Sequence, residues 1–151
     1  MKVIPGAATL TKELYVPVTA NGAGGGQTLL PGAQLPVQSL NAVGQRAFIG
    51  FKVPHDFNSI ISAEIIIVNY DTNATANIDT HSEYGSIGQV YNTHQEDEVA
   101  ATYNLTANLF FGVDVSGILT ALVAGDIVGL GIDCEDVAAR FYVVGFNLRY
   151  A

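Results

Sequence analysis

From about Gly44 to Tyr150 the chain is a succession of apolar, β-branched and aromatic runs, broken roughly every ten residues by Gly, Asn, Asp or Pro. Such a pattern restricts the chain to a β architecture that buries the faces of its sheets. Ala47, Ile49, Phe51 and Val53 alternate with Arg46, Phe48, Gly50 and Lys52, the period of a half-buried strand. Ile65, Ile66, Ile67 and Val68 form an unbroken run inside 63–70, short and β-branched, which predicts a central strand covered on both faces. Between about Ala74 and Tyr84, residues Ala76, Ile78 and Tyr84 fall on one face and Asn77, Asp79, His81 and Glu83 on the other.

Further strands are expected near Val99–Leu105, Leu109–Val113, Ile127–Ile132 and Ala139–Tyr150, the last with Tyr142, Val144, Phe146, Leu148 and Tyr150 on one face. The segment Asp114–Val123 changes period. Val115, Ile118, Leu119 and Leu122 follow helical spacing, and Asp114 or Ser116 is placed to cap a first turn. The fold expected is all-β: a jelly-roll-like, two-sheet antiparallel sandwich over 44–151, with one short helix.

Residues 1–43 read differently. They hold Pro5, Pro17, Pro31 and Pro36, the tract Gly22–Gly26, and only Lys2, Lys12 and Glu13 as charges. Glycine loosens a chain and proline punctuates sheets, so this region is expected to be an extended N-terminal arm with one short edge strand near Glu13–Val18. Its apolar content exceeds that of a disordered linker, which points to ordering against a neighbour. The expected anchors are Val3, Ile4, Leu10, Leu14, Tyr15, Val16, Leu29 and Leu30.

Composition removes several function classes. The net charge is −8, with six Lys plus Arg and no basic run, so nucleic acid is not an expected partner. No apolar stretch approaches the roughly 20 residues of a membrane-spanning helix. The start, MKVIPGAATLTKELYV, has no continuous apolar run after Lys2, so no secretory signal is expected. Cys134 is the single cysteine, which rules out an intrachain disulfide framework. Only 13% of residues are charged while 49% are hydrophobic, so part of the surface is expected to meet a partner.

No catalytic motif stands out. There is no Gly-x-Ser-x-Gly elbow, no His-Glu-x-x-His and no Walker loop, so the chain is not expected to be an enzyme. Asp79, His81 and Glu83 lie at i, i+2 and i+4 of one strand and share a side, a spacing able to hold a cation. A cupin enzyme places two His there, with another on a distant strand; here Asp79 takes the first position and His94 falls in a polar loop. The expectation is therefore a solvent-facing polar row, with no metal or other cofactor and no small-molecule ligand. Sugar binding uses exposed aromatic faces; the chain has no Trp and seven Tyr, which are scattered. Glu96-Asp97-Glu98 reads as a solvated loop.

The run Phe51-Lys52-Val53-Pro54-His55-Asp56-Phe57-Asn58-Ser59-Ile60, then 63–68, then Asp114-Val115-Ser116-Gly117-Ile118-Leu119 and Ala124-Gly125-Asp126-Ile127-Val128-Gly129-Leu130, resembles small jelly-roll virion proteins of tailed phages and related viruses. The resemblance covers roughly residues 46–150 and implies a capsid decoration, or cement, protein. It further implies a homotrimer on the virion surface, made in a host cytoplasm, whose arm reaches over the major capsid protein or like subunits. The alternatives are a carbohydrate-binding jelly-roll module, a subunit of a strand-exchanged extracellular filament, and a cupin-like metalloenzyme.

Overall fold

The structure, a computed structural model, describes residues 10–21, 26–30, 34–135 and 140–151. Its strands are β1 (Lys12–Pro17), β2 (Ala20–Asn21), β3 (Gly26–Leu29), β4 (Pro36–Leu40), β5 (Arg46–Lys52), β6 (Ile60–Asn69), β7 (Asn73–Gly85), β8 (His94–Leu105), β9 (Phe110–Asp114), β10 (Ile127–Cys134) and β11 (Phe141–Tyr150). They form two antiparallel sheets. One runs β3-β4-β11-β6-β9, with β1 also paired to β11; the other runs β2-β5-β10-β7-β8. The chain is a two-sheet β-sandwich, as its alternating pattern predicts. Among the described residues no helix is long and apolar enough to cross a membrane.

The core is built from alternate residues of facing strands. Ala47 and Ile49 of β5, Ile78 and Tyr84 of β7, and Val128, Leu130 and Ile132 of β10 meet Ile65 and Ile67 of β6 and Phe146 and Leu148 of β11. The long apolar run of β6 is covered on its outer side as well. There Val68, Val37 and Val144 form a second small cluster, packed by Leu30, Leu35, Ile66 and Tyr142.

β11 departs from uniform alternation. Against β6, Val143 pairs with Ile67 and Gly145 with Ile66, so Val144 is an extra residue. This bulge reverses the facing of the strand: Phe141 and Val143 point inward before it, and Phe146, Leu148 and Tyr150 after it. Tyr142 and Val144 therefore belong to the outer cluster and not to the face predicted for them.

The segment Asp114–Val123 is not a helix. A 3-10 turn spans only Ser116–Ile118. Asp114 Oδ1 accepts the Ser116 amide at 2.9 Å and the Ser116 hydroxyl at 2.7 Å. Gly117, between Ser116 and the β-branched Ile118, gives little helical preference, and so short a helix is marginal alone. The apolar spacing has a different origin: Val115, Ile118, Leu119 and Leu122 are buried against one end of the sandwich.

Nor do the described residues of 1–43 form a separate arm. β1 pairs with β11 from Lys12↔Tyr150 to Pro17↔Gly145, β4 pairs with the start of β11, β3 with β4, and β2 with β5. Leu14 and Val16 pack on this chain's own core, and Leu30 on the outer cluster. Leu29 ends β3, whereas Leu10 and Tyr15 are exposed. Val3 and Ile4 lie outside the described residues, as does the Cys134 side chain. The physical reason is edge satisfaction: β11 has unpaired backbone groups on either side of its bulge, and the N-terminal strand alternates correctly to fill them. Lys12 Nζ also meets Asp56 Oδ2 at 2.5 Å, which holds the lysine above and the aspartate below their ordinary pKa values, chiefly through that hydrogen bond.

Gly145 is required by this docking. A Cβ there would lie 2.5 Å from the Val16 carbonyl oxygen and 2.7 Å from the Tyr15 hydroxyl. Gly145→Ala is expected to push β1 off the sheet and to cost about 1–3 kcal/mol, read as a lower urea midpoint. An unchanged midpoint would mean that β1 contributes nothing to the fold.

Candidate functional site

The outer face of the five-stranded sheet carries a cluster of charged and polar side chains. Strand registry arranges it in rows. Arg46 of β5, Asp133 of β10 and Asp79 of β7 form one row; Phe48, Gly131, His81 and Asp97 the next; Gly50, Gly129, Glu83 and Gln95 the third; Lys52, Ile127 and Gly85 the last. The alternation that buries Ile78 and Tyr84 sends Asp79, His81 and Glu83 outward together, as their spacing predicts.

The three are not equivalent. The Arg46 guanidinium grips Asp133 through two parallel hydrogen bonds, Nε to Oδ1 and Nη2 to Oδ2. That hydrogen bonding raises the Arg46 pKa against the opposing effect of burial, while the Asp133 side chain is only 7% exposed. Arg46 Nη2 lies 3.0 Å from His81 Nε2, and His81 Nδ1 lies 2.7 Å from Asp97 Oδ1. His81 Nε2 also lies 3.3 Å from Asp133 Oδ2, so the ring sits between the Arg46–Asp133 pair and Asp97. Both nitrogens of His81 are thus occupied by protein groups.

Asp79 has a structural task. The β7–β8 register shifts between Ile78 and Thr80, and opposite this point Ala100 adopts φ 58. The Asp79 carboxylate accepts the Ala100 amide, stabilising a left-handed conformation that alanine disfavours. Among the described residues, no group of three His, Cys, Asp or Glu side chains is arranged to hold a metal.

Glu83 remains free. The residue is exposed, and no hydrogen bond or ion pair joins its carboxylate to another described residue. It borders an open groove of about 430 Å³ together with Gln89, Tyr91, Ile127 and Gly129. The 86–93 loop holds this groove through a compact set of bonds. Gln89 Oε1 accepts the Ser86 amide at 2.9 Å, the Thr93 hydroxyl donates to the Val90 carbonyl at 2.7 Å, and Gly88 takes φ 95. The Ser86 hydroxyl donates to buried Asp126 at 2.6 Å, tying the loop to the turn before β10. Tyr91, 74% exposed, is displayed at the rim beside Ile87 and Val90.

The floor beside Glu83 is bare backbone. Gly50 and Gly129 are directly paired, and a Cβ on either would meet nothing closer than 3.9 Å and 3.8 Å respectively. Neither has the positive φ that demands glycine. Packing does not explain them, and glycine inside a strand costs about 0.5–1 kcal/mol. Glycine in such a place often marks close approach by a ligand or another backbone.

The shared outer side of Asp79, His81 and Glu83 follows from their spacing, but Asp79 is buried and not solvent-facing as expected, and the spacing says nothing of Tyr91, Gln89 or the glycine floor. One signal was available: Tyr91 is the tyrosine that lies in a polar loop, away from any alternating run that would bury it. The acidic Glu96-Asp97-Glu98 segment is also not a loop; it lies inside β8. Glu96 joins that strand to the turn after Leu119, accepting the Thr120 amide at 3.0 Å, the Thr120 hydroxyl, and the Tyr84 hydroxyl at 3.3 Å. Burial opposes ionisation, but the Thr120 and Tyr84 hydrogen bonds outweigh it and hold the carboxyl below its usual range.

A carboxyl held low in the folded state stabilises the fold fully above its unfolded value, about 4.3, and loses that contribution as pH falls through the lower folded value. Glu96→Gln is therefore expected to cost about 1 kcal/mol at pH 7. The gap to the wild type should close below about pH 4 when thermal midpoints are compared across pH. A gap that stays constant with pH would show that the charge of Glu96 is irrelevant.

Comparison with solved structures bears on the fold. The CBM36-1 domain of a multidomain xylanase from the hindgut metagenome of Trinervitermes trinervoides is similar, with a TM-score of 0.53 and 9% identity, over 93% of this chain and 98% of that one. A carbohydrate-binding module CBM36 in complex with calcium and xylotriose matches with a TM-score of 0.48 and 13% identity, over 91% and 98%. No family model and no curated protein matches the sequence. At these identities the first likeness establishes the architecture, a jelly-roll β-sandwich, and the architecture alone.

Proposed function

We propose that this chain is a glycan-binding module, which holds a saccharide in the groove between Tyr91 and Gly129 and performs no chemistry on it. The observation that carries the reading is an exposed tyrosine ring beside a groove that also offers the Glu83 carboxylate and the Gln89 carboxamide. A pyranose presents an apolar C–H face that stacks on an aromatic ring, while its hydroxyls need donors and acceptors at the edge. Tyr91 supplies the first requirement. Glu83 and the Gln89 amide nitrogen supply the second, and the Gly50–Gly129 floor lets a flat ring approach the sheet. The similar solved sandwich is a CBM36-1 domain of a xylanase, which supports this reading.

Retention on a panel of polysaccharides, followed by titration calorimetry on whichever binds, tests the reading. Tyr91→Ala is expected to weaken binding tenfold or more while leaving the thermal midpoint unchanged, because the ring is mostly exposed. Leu109→Ala, an exposed apolar position beside the other sheet, should leave binding intact. Full affinity in Tyr91→Ala would sink the proposed site.

A second reading keeps one specific observation in its favour. Leu109 and Phe110 are more than half exposed at β9, an edge strand of the larger sheet, and an uncovered apolar edge is a template for association. That suits a virion structural subunit assembling on a major capsid protein or on copies of itself. Native mass by light scattering separates the two. The glycan reading expects a monomer, and a stable trimer that dissociates on Phe110→Asp would favour the assembly reading.

A further inference from the structure

The proposed groove holds one charged side chain that the fold leaves without a partner, and its sign restricts the ligand. The other acids on this face are committed: Asp133 to Arg46, Asp97 to His81, and Asp79 to the Ala100 amide. Glu83 alone lines the groove with a free carboxylate, next to Gly129 and within the reach of anything stacked on Tyr91. The cations on the face do not offset it. Arg46 is bound to Asp133, and Lys52 stands on β5, with β10 between it and β7, about 10 Å across the sheet. Arg46 and Lys52 face Asp79, Glu83, Asp97 and Asp133, so the surface around the groove is net negative, as is the whole chain at −8.

From this placement we infer that Glu83 sets the charge class of the ligand: the groove accepts uncharged, polyhydroxylated glycan chains and rejects those carrying carboxylate or sulfate groups. The inference rests on the glycan reading and deepens it. A carboxylate only accepts hydrogen bonds, and two neighbouring sugar hydroxyls can each donate to one of its oxygens in short, charge-assisted contacts. A uronate or sulfate at the same point brings a like charge into a partly desolvated groove and has no proton to donate. Discrimination therefore comes from repulsion of the wrong ligand as much as from attraction of the right one.

The test uses the full chain and its Glu83→Gln, Glu83→Lys and Tyr91→Ala variants. Each is run against neutral polymers (glucans, xylans, mannans) and acidic ones (polygalacturonate, alginate, heparin), at low and at physiological salt. Wild type is expected to bind at least one neutral polymer and none of the acidic ones. Glu83→Lys should lose tenfold or more on the neutral polymer and gain salt-sensitive retention on acidic polymers, with Glu83→Gln losing less. Because Glu83 is exposed and unpartnered, thermal midpoints should match the wild type and exclude misfolding as the cause.

Wild-type binding to acidic polymers as strong as to neutral ones would overturn the inference. So would a Glu83→Lys variant with unchanged preference while Tyr91→Ala abolishes binding, an outcome that leaves the glycan reading standing. A wild type that binds none of the polymers would overturn the glycan reading itself, and this inference with it.

Discussion

One extra residue in β11 organises the sandwich. The bulge at Val144 lets a single strand present inward residues on both sides of a reversal, and divides one edge of the strand between two partners, β4 before it and β1 after it. The Val144 carbonyl accepts the Val18 amide at 3.1 Å and the Tyr15 hydroxyl at 3.4 Å, so the disruption of one ladder is where the N-terminal strand is received. Gly145 permits the approach because a side chain there would collide with the β1 backbone. With β1 in place, Leu14 and Val16 cover the core, and both edges of β11 are satisfied.

The two sheets use their outer faces differently. The outer face of the larger sheet is apolar where Val37, Val68 and Val144 meet, and it is covered by residues of the β3–β4 segment. The smaller sheet turns a polar face outward, where charges are paired at one end and bare backbone, Glu83 and the Tyr91 rim lie at the other. The Arg46–Asp133–His81–Asp97 chain crosses four strands, β5, β10, β7 and β8. Such bonds brace the sheet next to the groove.

Much of the fold was legible from residue order. Two-residue alternation in β5 and β7 identifies their inward residues, because the period of a strand is independent of what it packs against. The same holds for the shared side of Asp79, His81 and Glu83. The 3-10 turn was not legible: Val115, Ile118, Leu119 and Leu122 must be apolar to close an end of the core, and that requirement imitates helical spacing. The facing of Tyr142 and Val144 was hidden by a bulge that leaves no mark on composition.

What the sequence alone determined is the class of architecture, the inward residues of β5 and β7, and the lack of familiar catalytic motifs. These follow from local periodicity and residue chemistry, which act over a few neighbours. Tertiary structure alone decided that the described N-terminal residues belong to the sheets, that Arg46 and Asp133 neutralise each other, and that Glu83 and Tyr91 share a groove. Each of these joins residues through strand registry, and a registry is chosen by the free energy of the whole sandwich and not by any one segment.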